Sequence, residues 1–233
     1  MIKAYEALSH IIFPSSCVGC QRELTISEQF LCLHCEDDLP LARFDSLREN
    51  AVVDLFFGRI PIEYGDVFCL FNKKGTVQRL LHYLKYMRQP EIGRYLGLFM
   101  GLQILTRPWE EPPDYLIPVP LHPRKKIIRG YNQADELAFG IQRVCESPVL
   151  YNMIRRQKNT SSQTKLNRWE RYLNANESYE IENFENLPFR AHVAIIDDVI
   201  TTGATIEGVG QAILAVRPDI RISVMAAALA RNA

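Results

Sequence analysis

The feature that most constrains the fold is a run of apolar residues followed at once by acidic and small polar ones. Residues 192–196 read His-Val-Ala-Ile-Ile, a pattern typical of a strand that is buried on both faces of a sheet. Residues 206–216 then carry apolar side chains at helical spacing, and a second strand-like run covers residues 220–229. A strand, a helix and a strand in this order predict a parallel βαβ unit, and therefore an α/β fold with helices flanking a parallel sheet.

Earlier segments fit the same architecture. Residues 67–71 are strand-like, and residues 77–84 and 92–103 have the apolar spacing of core-packed helices. Residues 114–120 begin as a strand and pass into a basic loop, after which a helix is expected from Gln133 onward.

Two aspartates and a threonine-rich loop stand at the carboxyl end of the predicted buried strand, which is the edge where open α/β sheets bind ligands. Asp197 and Asp198 offer adjacent acceptors for the two hydroxyls of a ribose, or for a hydrated magnesium ion. Backbone N–H groups and hydroxyls of the following loop suit a phosphate. The loop residues are Thr201, Thr202, Gly203, Ala204 and Thr205.

The same residues also have a purely structural interpretation, in which the aspartates end a strand and the threonines cap a helix. Two other phosphate-binding motifs do not match. A P-loop ends in Gly-Lys-Ser or Gly-Lys-Thr, which this loop lacks. Gly208 and Gly210 lie inside the predicted helix and lack the spacing of a dinucleotide-binding motif.

Two basic stretches are candidates for binding pyrophosphate or a nucleic-acid backbone. The first follows the strand at 114–120 and contains Arg124, Lys125, Lys126 and Arg129. The second is polar with little periodicity, and loops of its length are usually functional or disordered. Its basic residues are Arg155, Arg156, Lys158, Lys165, Arg168 and Arg171. The alternatives are a solvated basic loop for the first stretch and a loop with no binding role for the second.

Cysteine spacing predicts a metal site near the start of the chain. Cys17, Cys20, Cys32 and Cys35 form the pattern C-x2-C-x11-C-x2-C, in which two pairs can present four thiolates to one zinc ion. Four protein ligands imply a structural role, and a redox role for either pair is the alternative. The isolated Cys69 and Cys145 are expected to be buried core thiols.

Length and charge set limits on organisation and partners. The 233 residues suggest one ordinary domain with a small appendage, and we expect a cysteine-bearing segment at 1–60 and an α/β domain at 61–233. With 27 basic and 27 acidic residues the formal charge is zero, so bulk charge indicates no nucleic-acid partner. Charged residues interrupt every long apolar run, and the start of the chain is unlike a signal peptide, which predicts a cytoplasmic protein without a membrane span.

Several blocks together resemble a known family. Residues 193–205 resemble the phosphoribosyl pyrophosphate (PRPP) motif of type I phosphoribosyltransferases. Residues 118–122, residues 129–134, and the stretch from Arg155 onward resemble the signature blocks of the ComF family. The last block includes Gln163, Leu166, Glu170, Arg171 and Asn174. With the cysteine pattern, the resemblance covers nearly the whole chain, and Tyr131 departs from it slightly because the family often has phenylalanine there.

The resemblance implies a type I phosphoribosyltransferase fold behind a small zinc-binding segment, and a link to DNA uptake in natural transformation. Asp197 and Asp198 would be the catalytic residues that contact the ribose hydroxyls, and residues 201–205 would hold the 5′-phosphate. The stretch Arg155 to Arg171 would form the hood that closes over the bound sugar. The implied reaction displaces pyrophosphate from PRPP with magnesium present and needs no nucleophilic side chain.

Two other roles stay open at this stage. One is a non-catalytic module that binds PRPP or single-stranded DNA, and the other is an adaptor for proteins of the competence machinery. The sequence does not identify an acceptor substrate.

Overall fold

The computed structural model describes residues 15–156 and 179–230. Within these residues the main sheet has four parallel strands in the order β1-β6-β5-β2, and an antiparallel pair, β3-β4, lies apart from it. The strands are β1 Gly65–Phe71, β2 Tyr115–Pro118, β3 Ile154–Arg156, β4 Tyr179–Ile181, β5 His192–Ile200 and β6 Arg221–Ala230.

Helices precede the sheet and connect its strands. They are α1 Leu33–Asp37, α2 Ala51–Asp54, α3 Thr76–Tyr86, α4 Pro90–Thr106, α5 Pro123–Arg129, α6 Gln133–Cys145 and α7 Ala204–Val216, with a short 3-10 helix at Phe184–Asn186. No helix within the described ranges combines the length and the apolar character needed to cross a bilayer.

The two faces of the sheet pack against different helices. On β5, Ala194 and Ile196 belong to the core shared with α3, α4 and α6, whereas Val193 and Ile195 belong to the core under α7. All four side chains are fully buried. Because both faces are covered, consecutive residues of the strand are apolar. The predicted α/β fold, a parallel sheet flanked by helices, is confirmed.

Residues ahead of β1 cover the outer edge of that strand. The Ala42 N–H donates to the Phe68 carbonyl at 2.9 Å, so the edge strand is paired rather than exposed. Leu31 is buried in the same core as α3 and α4. The division into 1–60 and 61–233 stays a prediction, and the described part of the first segment shares a core with the sheet.

One segment differs from the prediction. The basic stretch that follows β2 was expected to be a loop, and the structure makes it helix α5. Pro123 occupies the first turn, where its fixed φ is favourable, and the His122 ring accepts a hydrogen bond from the Arg124 N–H at 3.2 Å. Gly130 ends the helix at φ +85°. Because the start and stop signals are only seven residues apart, the segment has too little periodicity to indicate a helix in the sequence, and its basic residues suggested a loop.

Candidate functional site

The carboxyl ends of β2 and β5 meet at one edge of the sheet. Pro118 lies opposite Ile196, and the Val119 N–H donates to the Ile196 carbonyl at 2.9 Å. β2 leads toward α6 on one face, whereas β5 leads into α7 on the other face. Neighbouring strands whose helices lie on opposite faces form the switch point at which a ligand-binding crevice opens in such sheets.

Residues 201–205 form the turn from β5 into α7. Gly203 is the N-cap residue of α7 at φ +77°, a left-handed conformation that glycine adopts without strain. The Glu207 N–H donates to the Gly203 carbonyl at 2.8 Å, and the Ala204 N–H lies 3.4 Å from the Thr202 hydroxyl. The predicted phosphate residues line one concavity together with Asp197. A turn of this kind at a helix N-terminus suits an anion.

The two predicted catalytic carboxylates, Asp197 and Asp198, lie in the last four residues of β5, ahead of this turn, and each has a partner. The Asp198 N–H donates to Asp197 Oδ1 at 2.8 Å, and Lys85 Nζ lies 2.9 Å from Asp198 Oδ1. The side chains of Lys85 and Asp198 are 23% and 13% exposed, so the ion pair is partly shielded from water. The sequence did not point to Lys85, because no local pattern links α3 to β5.

A second unpredicted group contacts the turn at residues 201–205 from outside. Arg59 donates a hydrogen bond to the Thr202 carbonyl at 2.9 Å and forms an ion pair with Glu207 at 3.3 Å. The buried ring of Phe56 lies against Gly203, where an added Cβ would stand 2.8 Å from the ring. The chain around α2 therefore fixes the turn by both a hydrogen bond and packing.

A cavity of about 240 Å³ opens at the end of β2, beside the acidic pair's edge of the sheet. Of the predicted pyrophosphate residues, Arg155 and Arg156 line it, together with Lys126. Arg155 also pairs with Glu182 at 3.2 Å. The rest of the wall combines Pro118, Pro120, Leu121, Pro123, Asn132, Asp135, Asn152 and Ile154. The cavity thus places positive charge at the end of β2, the strand that pairs with β5.

The remaining basic candidates have different surroundings. Arg124 and Lys125 are exposed on α5 and do not line the cavity. Arg129 donates to Gln133 Oε1 at 2.7 Å and lies 5.5 Å from the centre of a tyrosine ring. Arg168 and Arg171 lie outside the described residues.

The stretch Arg129 to Ala134 organises the elements around the site. The Tyr131 hydroxyl donates to the Leu84 carbonyl in the last turn of α3. Asn132 caps α6 by accepting from the Ala134 N–H at 3.2 Å, and its amide donates to the Val119 carbonyl at 3.0 Å. This one stretch therefore connects α3, α6 and the loop after β2.

The four N-terminal cysteines lie together as predicted. Their sulfur atoms are all within 4.8 Å of one another, and Cys20 Sγ is 3.7 Å from Cys32 Sγ. Four thiolates about 2.3 Å from one zinc ion in a tetrahedron would be about 3.8 Å apart, so the cluster has the right size. It could hold a metal ion. A Cβ on Gly19 would stand 2.7 Å from Cys35 Sγ, so this position leaves no room for a side chain.

Backbone groups favour thiolate formation at two of the four cysteines, Cys17 and Cys32, whereas burial raises the pKa of Cys35. The Cys32 N–H donates to Cys17 Sγ at 3.3 Å, and the Cys35 N–H donates to Cys32 Sγ at 3.4 Å. Burial opposes ionisation of Cys17, but the backbone N–H groups of Cys32, Cys20 and Gly19 together lower its pKa to about 7. Cys69, outside the cluster, is buried, and burial raises the pKa of its thiol to about 12.

Comparison with known proteins identifies relatives of the chain. Competence protein F of Haemophilus influenzae is 33% identical over 215 residues, which cover 87% of this chain and 85% of that protein. The chain belongs to the ComF family. DNA utilization protein YhgH of Escherichia coli K12 is 31% identical over 139 residues, which cover 58% of this chain and 60% of that protein. No family model matches the chain.

Solved structures similar to this ComF-family chain include phosphoribosyltransferases at low similarity. The alignment with a crystal structure of adenine phosphoribosyltransferase covers 60% of this chain and 73% of that protein's chain, with 16% identity and a TM-score of 0.35. The alignment with UMP synthase of Leishmania donovani covers 76% of this chain and 31% of that protein's chain, with 17% identity and a TM-score of 0.35.

Proposed function

We propose that this ComF-family protein binds PRPP at the carboxyl end of β5 and transfers its phosphoribosyl group with release of pyrophosphate. One observation carries the proposal: the acidic pair lies near the end of β5, and this strand leads into a left-handed glycine turn at the N-terminus of α7. Carboxylates accept from sugar hydroxyls, and the turn offers N–H donors to a phosphate. The sugar and the phosphate of a ribose 5-phosphate would therefore each have complementary groups at the same end of β5.

Each residue set has its own part in the proposed reaction. The 5′-phosphate would be held by residues 201–205, and the ribose hydroxyls would donate to Asp197 and Asp198. The bond from the anomeric carbon to pyrophosphate breaks with its electron pair going to pyrophosphate, while the acceptor's lone pair forms the new bond to that carbon. Lys126, Arg155 and Arg156, which line the cavity at the end of β2, would neutralise the leaving group.

A magnesium ion bound with PRPP would suit the carboxylate oxygens of Asp197 and Asp198, which are the hard donors that this ion prefers. It would supply positive charge beside the pyrophosphate. The protein's own contribution is to orient the sugar and to keep the acidic pair in place.

The test is turnover of PRPP by the wild-type chain. Pyrophosphate release should be measured across a panel of nucleobases and amines, with binding of PRPP and ribose 5-phosphate measured in parallel by calorimetry. An Asp197→Asn/Asp198→Asn variant should keep part of its phosphate affinity but lose the preference for ribose phosphates over deoxyribose phosphates. A missing hydroxyl matters only where a site pairs with it. A wild-type chain that binds neither PRPP nor ribose 5-phosphate would remove the proposal.

A second candidate is a non-catalytic module that binds single-stranded DNA. The observation that favours it is the exposure of Arg124 and Lys125 on α5, together with relatives named for competence and DNA utilization. Binding of this kind depends on phosphate contacts and must fall steeply with salt. Oligonucleotide binding that is absent at low salt, or unchanged at high salt, would exclude this role.

We further propose that the four cysteines hold one structural zinc ion. The size of the cluster and its N–H···S bonds support this ion. Its thiolates require a reducing compartment, in keeping with the cytoplasmic location expected from the sequence. A zinc-stabilised surface would also be available to proteins of the competence machinery.

A further inference from the structure

We infer that Lys85 is a positioning residue for the sugar site, and that the Tyr131 hydroxyl holds it in place. This inference rests on the proposed function, because it assigns Lys85 a role in binding the ribose and the charged groups of PRPP. Lys85 stands in the last turn of α3, and its ammonium group reaches Asp198 Oδ1 at 2.9 Å. It therefore contacts one of the two carboxylates proposed to accept from the sugar.

The first step of the argument concerns charge. Asp197 and Asp198 are consecutive residues of β5, and two carboxylates near the same end of a strand disfavour a ligand as negative as PRPP. Lys85 compensates one of these charges at short range. The side chains of the pair are only 23% and 13% exposed, so water screens this compensation less than at an open surface.

The second step concerns orientation. A carboxylate side chain rotates freely unless a partner fixes it, and a site that accepts from two hydroxyls needs a fixed carboxylate. The Lys85 bond occupies Oδ1 of Asp198. An ammonium group has three donors, so Lys85 can keep this bond and still approach an oxygen of the bound sugar or pyrophosphate.

The third step concerns the support of Lys85 itself. The last carbonyl groups of a helix have no partner within the helix, and the Leu84 carbonyl accepts instead from the Tyr131 hydroxyl. Leu84 is fully buried, and Tyr131 packs against the same core. This bond fixes the end of α3 one residue before Lys85. A phenylalanine at position 131 would fill the same space without making the bond.

A simpler interpretation is that Lys85 only stabilises the end of α3, since a cation near a helix C-terminus is favourable. That role would change stability but not ligand preference. The two interpretations therefore differ in what happens to affinity and to the preference for ribose over deoxyribose.

The test is calorimetry with PRPP, ribose 5-phosphate and deoxyribose 5-phosphate on the full chain. Lys85→Met should weaken PRPP binding by about tenfold, the scale of a hydrogen bond between charged groups, and should reduce the preference for ribose. The same substitution in an Asp198→Asn background should have little further effect. Tyr131→Phe should change binding in the same direction but less. Lys85→Arg should retain most of the affinity.

Lys73→Met is the matched control, because Lys73 is exposed ahead of α3, and it should bind as the wild type does. Equal affinity and equal ribose preference in wild type and Lys85→Met would overturn the inference, as would an equal loss in the Asp198→Asn background. If Lys85→Met does not fold, Tyr131→Phe and Lys85→Arg are compared with the wild type instead. Wild-type affinity and ribose preference in Tyr131→Phe would then overturn the inference. A wild-type chain that binds none of these ligands would instead remove the proposed function and this inference together.

Discussion

The guanidinium of Arg59 donates a hydrogen bond at 2.9 Å to the carbonyl of Thr202, a residue 143 positions further along the chain. Arg59 also pairs with Glu207 in the first turn of α7. The turn at residues 201–205 is therefore fixed by a residue that precedes the whole sheet. Sequence motifs for phosphate turns describe only local residues and do not include such a support.

Arg59→Ala should weaken binding of ribose 5-phosphate by about 1 kcal/mol, or about fivefold, because one hydrogen bond that orders the turn is lost. Calorimetry on the folded variant measures the effect. Arg43 is also exposed and precedes the sheet, so Arg43→Ala is the matched control and should leave binding unchanged. Equal affinities in the two variants would show that the turn keeps its shape without Arg59.

Burial of Asp66 at the start of β1 leads to a prediction about pH. Its fully buried carboxylate accepts from Arg107, which also donates to the Ala42 carbonyl. Burial raises the pKa of Asp66 from 3.8 to about 7, although Arg107 opposes the shift. Arg107→Met would leave this carboxylate buried without its cation, which lowers the free energy of unfolding by about 3–5 kcal/mol.

The sign of the pH dependence follows from the raised pKa. The folded state binds a proton at Asp66 more tightly than the unfolded state does, so protonation of Asp66 stabilises the fold. This contribution to the free energy of unfolding is complete below about pH 4 and is lost as the pH rises through about 7. Without Arg107 the pKa rises further. Urea unfolding should therefore show a larger deficit for Arg107→Met, relative to wild type, at pH 8 than at pH 5. His192, whose pKa burial lowers, is present in both proteins. Equal deficits at the two pH values would contradict the assignment.

The sequence predicted those parts of the fold and site that depend on local patterns. The apolar run at 192–196, the acidic pair and the glycine turn lie next to one another in the chain, so β5, α7 and β6 could be inferred from periodicity and turn chemistry. The cysteine cluster was equally accessible, because its ligands come in two close pairs.

Long-range contacts were not accessible in this way. Lys85 and Arg59 reach the site from elements far away in sequence, and no periodicity connects them to Asp198 or Thr202. Helices α4 and α6 approach so closely that a Cβ on Gly97 would stand 2.2 Å from the Leu137 carbonyl. An isolated glycine inside a helical pattern does not by itself reveal which helix lies against it.

Metal content gives a third prediction. Elemental analysis of protein purified under reducing conditions should find about one zinc ion per chain, as a four-thiolate site implies. Cys20→Ala should lose this ion, and Cys20 is the informative position because its exposed side chain leaves no core cavity when shortened. Acid should also release the metal, since protonated thiols do not bind it. Hydrogen exchange should then show opening of residues 15–40 before opening of the sheet.

Cys69→Ala is the control for this experiment. Cys69 is buried in the core but lies outside the cluster, so the variant should lose stability through its cavity and still retain zinc. Zinc retention by Cys20→Ala, or an absence of tightly held zinc in the wild type, would show that the cluster is not a zinc site.

The last prediction separates two reasons for glycine at position 203. Its φ of +77° costs a residue with a Cβ about 1–2 kcal/mol, and the added Cβ would also stand 2.8 Å from the ring of Phe56. Gly203→Val should therefore abolish binding of even ribose 5-phosphate, because both the backbone conformation and the close contact are lost. Gly203→Ala should weaken binding less.

A second substitution distinguishes the two causes. Phe56→Leu removes the ring that meets the new Cβ but leaves the left-handed backbone unchanged, so Gly203→Ala/Phe56→Leu should recover the part of the affinity that the steric contact removes. Phe56→Leu alone measures the cost of the smaller core residue. Full recovery of affinity would mean that position 203 requires glycine because of the contact with Phe56. No recovery would mean that it requires glycine because of the backbone conformation. Wild-type affinity in Gly203→Val would show that the turn does not hold the phosphate, because a turn that binds through its N–H groups cannot keep that geometry with a β-branched residue at a positive φ.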